Sequence, residues 1–311
     1  MLIAVTGAGG FVGGRLTAEL ARRGHNVIAY SRRPALIAMP SPERVTYRTW
    51  DVSSGSIAPP PGVGAVVHCA ARVADWGSEN TFVRTNVDGT RAVLETFRAA
   101  TRFVHVSSAS VYDPARPKRM VTENSPYAKR YLNAYARTKV LAECIVRDSR
   151  RPALILRAHV VYGPGDRTLL PRLLAARRFG RLMAVGDGRN VLSVTHVDNL
   201  VQAILCSIEG DCTDGTFNVT DSETATLDQL LRTLLERLGL PPRIAYIPTR
   251  IATPLAALLE RSYRLAGAPR APLLTRYIVA QLASDYTLDI SRAQKILGYA
   301  PTCTFRDGPL A

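Results

Sequence analysis

Thr6-Gly7-Ala8-Gly9-Gly10-Phe11-Val12-Gly13 is the stretch on which the fold turns. An apolar run, Leu2 to Thr6, leads into it, and an amphipathic segment, Phe11 to Arg23, leads out, so the glycines stand between a strand and a helix. Glycines there let the backbone turn tightly and approach a ligand closely. The free N–H groups and positive dipole end of the following helix suit a pyrophosphate. The spacing, Gly-x-x-Gly-x-x-Gly at 7, 10 and 13 with Gly9 added, departs from Gly-x-Gly-x-x-Gly, but strand, loop, helix and second strand follow one another closely. Gly7, Gly9, Gly10, Phe11, Val12 and Gly13 are therefore candidate cofactor-binding residues.

Outward from this turn, β-branched runs at Asn26 to Tyr30, Val45 to Thr49, Ala65 to His68, Arg102 to Ser107 and Ala153 to Arg157 alternate with helical patterns. The helical patterns are Glu79 to Ala100 and about Asn133 to Asp148, while Ser53 to Gly64 reads as a loop. This alternation predicts an α/β fold, a doubly wound parallel sheet with helices on both faces. Beyond residue 160 the pattern loosens. Leu169 to Phe179, Val219 to Leu238 with Thr226 as a helix N-cap, and the 251 to 284 segment read as helices of a smaller region. The expected division is 1-165 as dinucleotide-binding domain, with part of 190-220 returning to it, and 166-311 as mainly substrate-binding.

The chain has 311 residues, 47% apolar and 21% charged, which excludes a disulfide-stapled miniprotein and a disordered polymer. Five scattered cysteines without Cys-x-x-Cys or clustered histidine argue against a disulfide framework or a metal site and point to a reducing cytoplasm. Forty Lys and Arg against 25 Asp and Glu give +15, which favours anionic partners. Nucleic acid is not expected among them, because the basic residues come in scattered pairs with no stacking aromatics. No apolar run approaches the ~18 residues that cross a bilayer, and Met1 to Val5 reads as a strand, not as a signal peptide.

At the end of the second strand an NAD enzyme places an acid for the adenosine ribose. Here Ser31 occupies that place, followed by Arg32 and Arg33, and a guanidinium fork suits a 2′-phosphate. NADP(H) is the expected cofactor, with NAD(H) possible. Asp51-Val52 stand ready either to meet adenine or to cap the strand end. Tyr135 and Lys139 lie four apart in a helical pattern and share a face. An ammonium beside a phenol lowers its pKa and fits it for proton transfer.

The ordered set Thr6 to Gly13, His68-Cys69-Ala70-Ala71, Asn86-Val87-Asp88-Gly89-Thr90, Val106-Ser107-Ser108-Ala109-Ser110-Val111-Tyr112, Tyr135 to Lys139, Leu156-Arg157, Val161 to Asp166 and His196-Val197-Asp198-Asn199 resembles the extended branch of the short-chain dehydrogenase/reductase superfamily, which has a Rossmann fold. The resemblance covers nearly the whole chain. It implies that Ser108 bonds the substrate carbonyl, that Tyr135 is the general acid, and that Lys139 holds the nicotinamide ribose. By the same resemblance Asn86 organises a proton-relay water, although it could equally cap a helix. Cys69, Ala70, Ala71, Ser107 and His159 would flank the cofactor, the alanines being small so as not to collide with it. His159 also has a purely structural reading.

The second half, at Ala74-Asp75-Trp76-Gly77, Leu170-Pro171-Arg172-Leu173 and Pro272 to Arg276, resembles the 3β-hydroxysteroid dehydrogenase type and bacterial reductases of 2-alkyl-3-oxoalkanoates. A lipophilic ketone or alcohol substrate and a possible homodimer are what that implies. Ile251 to Leu259 reads as a pocket lining or an amphipathic core helix. The alternatives are a nucleotide-sugar epimerase or ketoreductase, a redox-neutral cyclase, and a non-catalytic NADP-binding sensor.

Overall fold

The computed structural model describes residues 1–33, 42–113, 118–166 and 168–310. Its centre is a seven-stranded, all-parallel sheet in the order Gly215–Val219, β6, β5, β4, β1, β2, β3. The strands are β1 (Leu2–Thr6), β2 (Asn26–Ser31), β3 (Val45–Thr49), β4 (Ala65–His68), β5 (Arg102–Ser108) and β6 (Leu154–Ala158). Strand order reverses between β1 and β4. At that reversal the two neighbouring loops diverge and open a crevice at the carboxyl ends of the strands.

Both faces of the sheet are buried, and side-chain alternation assigns each residue to one of them. Ile3 and Val5 pack with Leu16 and Leu20 of α1 (Phe11–Arg22) and with Leu200 and Ile204 of the helix Val197–Glu209. Ala4 faces the opposite side, with Val66, Phe103 and Val146. Both adjoining segments from the 190–220 stretch therefore belong to the sheet: a strand at its edge and a helix on its face.

Three of the expected helices are shorter or interrupted. The 79–100 segment divides into Glu79–Phe82, a wide π-turn Val83–Asp88 and a helix Gly89–Thr96. It stops there because Arg151 takes the carbonyls of Leu94, Phe97 and Ala100. The helix after Leu169 ends at Ala175, since Arg177–Arg178 pairs antiparallel with Arg181–Val185 across a turn in which Phe179 and Gly180 both take positive φ. Val219 closes the edge strand, and the next helix is Leu227–Arg237. It starts at Thr226, whose capping box with Gln229 satisfies donors at both ends of the first turn.

Candidate active site

The crevice begins at the glycine turn. Gly7 has φ +73, and a Cβ there would lie 2.7 Å from Ala70 N; one on Gly13 would lie 2.3 Å from Gly7 O. Only glycine lets the turn sit on the end of β4 and α1 close onto the turn. Gly9 and Gly10 are exposed, Phe11 and Val12 half-buried, and no side chain caps α1, whose N-cap is Gly10. The result is an open, uncapped cradle of backbone N–H groups at the start of a 12-residue helix.

Residues from three further strand ends border this cradle. Ser31 abuts it, a Cβ on Gly9 standing 3.2 Å from Ser31 Cβ, and its hydroxyl donates to the Arg33 carbonyl. Arg32 and Arg33 are exposed, and among the described residues neither pairs with a carboxylate. Asp51 caps the short turn Val52–Ser54, accepting from Ser53 N at 2.9 Å and Ser53 Oγ at 2.7 Å. Burial would raise its carboxyl, but these bonds and the nearby Arg32 hold it below the usual range. Val52 is buried. Cys69, Ala70 and Ala71 are half-buried along the turn, and burial pushes the Cys69 thiol up to about 12, leaving it protonated.

Ser108 and Tyr135 are brought together. The helix Ala134–Asp148 starts at Asn133, whose Oδ1 accepts from Ala136 N at 2.9 Å, and this sets Tyr135 in the first turn. Its phenol lies close enough to the Ser108 hydroxyl for the two to interact. Lys139 is buried beneath, donating to Val106 O at 2.7 Å. The expected lowering of the phenol is not met. Burial raises Tyr135, the Ser108 bond opposing it, while desolvation brings Lys139 itself down to about 8.

The other predicted residues are set back from this pair. Ser107 Oγ donates to Glu143 Oε1 at 2.5 Å, away from the crevice. Asn86 is not a helix cap but sits inside the π-turn. Its Oδ1 accepts from Arg72 N at 2.7 Å and its Nδ2 reaches Thr138 Oγ1 at 3.0 Å, so it ties the loop after β4 to the tyrosine helix. His159 Nδ1 donates to Ser193 O at 2.7 Å, Nε2 faces the Gln281 amide at 3.4 Å, and the ring packs on Tyr286. Its side chain thus lies on the side of the later residues, apart from the glycine turn. In the helix Thr249–Leu265 the inward residues are Ala252, Ala256 and Glu260, whereas Ile251, Leu255 and Leu258 are exposed. That segment is amphipathic, with small residues and Glu260 inward and its larger apolar residues outward.

Sequence reasoning missed Glu143, Lys118, Tyr277 and Gln281. Glu143 was findable, being four residues after Lys139 on the same face. It is fully buried and held by Arg157 Nη2 at 2.7 Å, Tyr127 at 2.7 Å and Ser107. Tyr277 and Gln281 arrive from a short helix, Arg276–Leu282, far along the chain, and no local pattern marks them. Tyr277 acts electrostatically on Tyr135 and approaches Ser110. With Lys118, Tyr131 and Gln281 it lines a small cavity beside the tyrosine.

Three buried histidines make the fold acid-sensitive. His68 is hydrogen-bonded to Thr6 and Thr90, His105 has no partner for either ring nitrogen among the described residues, and His159 is held as described. Desolvation is the leading cause that pushes His68 down to about 3, His159 to about 4 and His105 well below its usual value. These folded-state values lie below that of a free histidine, near 6.5, so the unfolded chain takes up protons first. Stability should therefore fall as pH drops below ~6.5, by about 1.4 kcal/mol per pH unit for each histidine. Urea midpoints at pH 7 and pH 5 check this, and an unchanged midpoint would contradict it.

Residues 3–220 match the profile of the NAD dependent epimerase/dehydratase family. The chain is 31% identical to a 2-alkyl-3-oxoalkanoate reductase of Stenotrophomonas maltophilia, covering 99% of this chain and 97% of that protein. It is 29% identical to a reductase of the same name from Shewanella oneidensis, over 98% of this chain and 83% of the other. Among solved structures, a UDP-glucuronic acid 4-epimerase from Bacillus cereus, determined with NAD, superposes with a TM-score of 0.73 at 22% identity, covering 99% of this chain and 96% of that one. This last likeness is one of fold.

Proposed function

Since the chain belongs to the NAD dependent epimerase/dehydratase family, in the extended branch of the short-chain dehydrogenases/reductases, we propose that it is an NADP(H)-dependent enzyme interconverting a ketone and a secondary alcohol on a lipophilic substrate of steroid-like, 3-oxoacyl or polyketide type. The observation that carries this reading is the placement of the Tyr135 phenol within interaction range of the Ser108 hydroxyl at the carboxyl end of β5, with Lys139 buried one helical turn further on.

The open glycine cradle fits a dinucleotide. Gly7 to Gly13 would hold the diphosphate on the α1 terminus, Ser31, Arg32 and Arg33 the adenosine end, and Ala70 and Ala71 the near wall. When bound, the dinucleotide supplies the hydride or takes it up. In the reducing direction Tyr135 donates its proton to the carbonyl oxygen and Ser108 donates a second hydrogen bond, so negative charge developing on that oxygen meets two preorganised donors. Lys139 stabilises the phenolate left behind. Asn86 keeps the loop at Arg72 and the tyrosine helix in register, and is a positioning residue. Residues beyond 165, apart from the returning 190–220 segments, form the substrate-binding region.

Arginines that are exposed and have no carboxylate partner among the described residues, beside Ser31, support NADP(H). Replacing both Arg32 and Arg33 with alanine should weaken NADPH binding about 10- to 100-fold, the value of a lost charge-assisted contact, and leave NADH binding unchanged. Titration of nicotinamide fluorescence measures both. Equal affinity of the unmodified protein for NADH and NADPH would overturn the preference.

A further inference from the structure

The cavity beside Tyr135 contains a charge that the chemistry above does not use. Lys118 is 5% exposed, so its ammonium is almost wholly removed from water. Removing an ammonium from water is unfavourable unless its donors are satisfied. Here they are satisfied poorly. Nζ reaches Ala280 O at 3.4 Å and sits 4.4 Å from the centre of the Tyr286 ring. Asp113 attracts it electrostatically, yet among the described residues no carboxylate comes within ion-pairing distance. Among the described residues, three N–H donors face one long carbonyl contact and an aromatic face.

Several neighbours in the cavity are able to donate as well: the phenols of Tyr131 and Tyr277, the Gln281 amide and the Ser110 hydroxyl, which is buried without a hydrogen-bond partner among the described residues. Arg130 stands exposed at the rim. One wall, at Ala136 and Tyr277, adjoins Tyr135 itself. A small, donor-rich, cation-bearing recess next to the proposed carbonyl position matches a planar anion attached a few bonds from that carbonyl.

We propose that Lys118 is the anchor for a substrate carboxylate, so that the enzyme selects 3-oxo acids in their free-acid form over neutral ketones and over esters. This rests on the reading of Tyr135 and Ser108 as the carbonyl-binding pair and narrows it to one substrate class. The anchor also gives direction to the substrate. With the carboxylate held at Lys118 and the carbonyl at Tyr135, the alkyl tail has to leave past the Tyr131 and Tyr277 rings.

Two measurements test it. Calorimetric titration of decanoate against decanamide, with and without NADP⁺, needs no turnover. The acid should bind about 10- to 100-fold more tightly than the amide, Lys118→Met should abolish the difference, and Lys118→Arg should retain most of it. Kinetically, the ratio of kcat/KM for a 3-oxo acid to that for its methyl ester should collapse by a similar factor in Lys118→Met. Lys118→Gln, similar in length and still polar, repeats the comparison should the methionine variant fail to fold. Equal binding of acid and amide by the unmodified protein, or discrimination that survives in the Met and Gln variants, overturns the proposal. If calorimetry shows the preference while no ketone is reduced, the anion site stands and the redox assignment falls.

Discussion

Tyr135→Phe is expected to lower kcat by about 10²- to 10⁴-fold, the usual contribution of a positioned proton donor, while KM and cofactor affinity change little. The substitution removes one oxygen atom from a half-buried ring and leaves the packing of the helix Ala134–Asp148 in place. In the proposed mechanism the lost hydroxyl is the one that meets the reacting oxygen beside Ser108, so the loss should fall on the chemical step. Ser108→Ala keeps the proton donor and removes a single stabilising hydrogen bond, so its effect should be smaller than that of Tyr135→Phe. A phenylalanine variant that keeps more than about a tenth of the turnover would remove the tyrosine from the mechanism.

The second large effect concerns what holds that helix. Glu143, two turns after Tyr135, is fully buried against Arg157 of β6, itself 1% exposed, with bonds of 3.0, 3.2 and 2.7 Å between them. Arg157 lies over the Tyr112 ring and donates to Glu123 O, while Tyr127 and Ser107 donate to the carboxylate. The end of β5, β6 and the helix Ala134–Asp148 meet at this pair. Arg157→Met alone strands a buried carboxylate and should cost about 3 to 5 kcal/mol, whereas the double variant Arg157→Met/Glu143→Leu should recover much of that. Denaturant midpoints for the two single variants and the double variant measure the coupling. Single variants within about 1 kcal/mol of the unmodified protein would show that the pair does not anchor the helix.

The parallel sheet was legible because strands buried on both faces are rich in consecutive apolar residues, as Leu2 to Val5, Ala65 to Val67 and Phe103-Val104 are. The glycine turn was legible because Gly7 and Gly13 occupy places that a Cβ would fill. Less could be read where a distant residue decides the outcome. The 79–100 helix is cut short by Arg151, more than 50 positions after the carbonyls it caps. The substrate side was least visible. Lys118, Tyr277 and Gln281 come from segments separated by some 160 positions, and only the folded chain makes them neighbours. The protonation of Tyr135 was misjudged for a related reason: a four-residue spacing gives a shared face, but burial, which is a tertiary property, sets the direction of the shift.

The decisive event is hydride reaching a carbonyl carbon in the crevice bounded by Gly10, Ser108 and Tyr135. NADPH carrying deuterium at the transferable position of the nicotinamide, incubated with the enzyme and a panel of 3-oxo acids, should yield a secondary alcohol with deuterium on the carbinol carbon, read by mass spectrometry. Unlabelled product, or product formed with the cofactor still reduced, would contradict it.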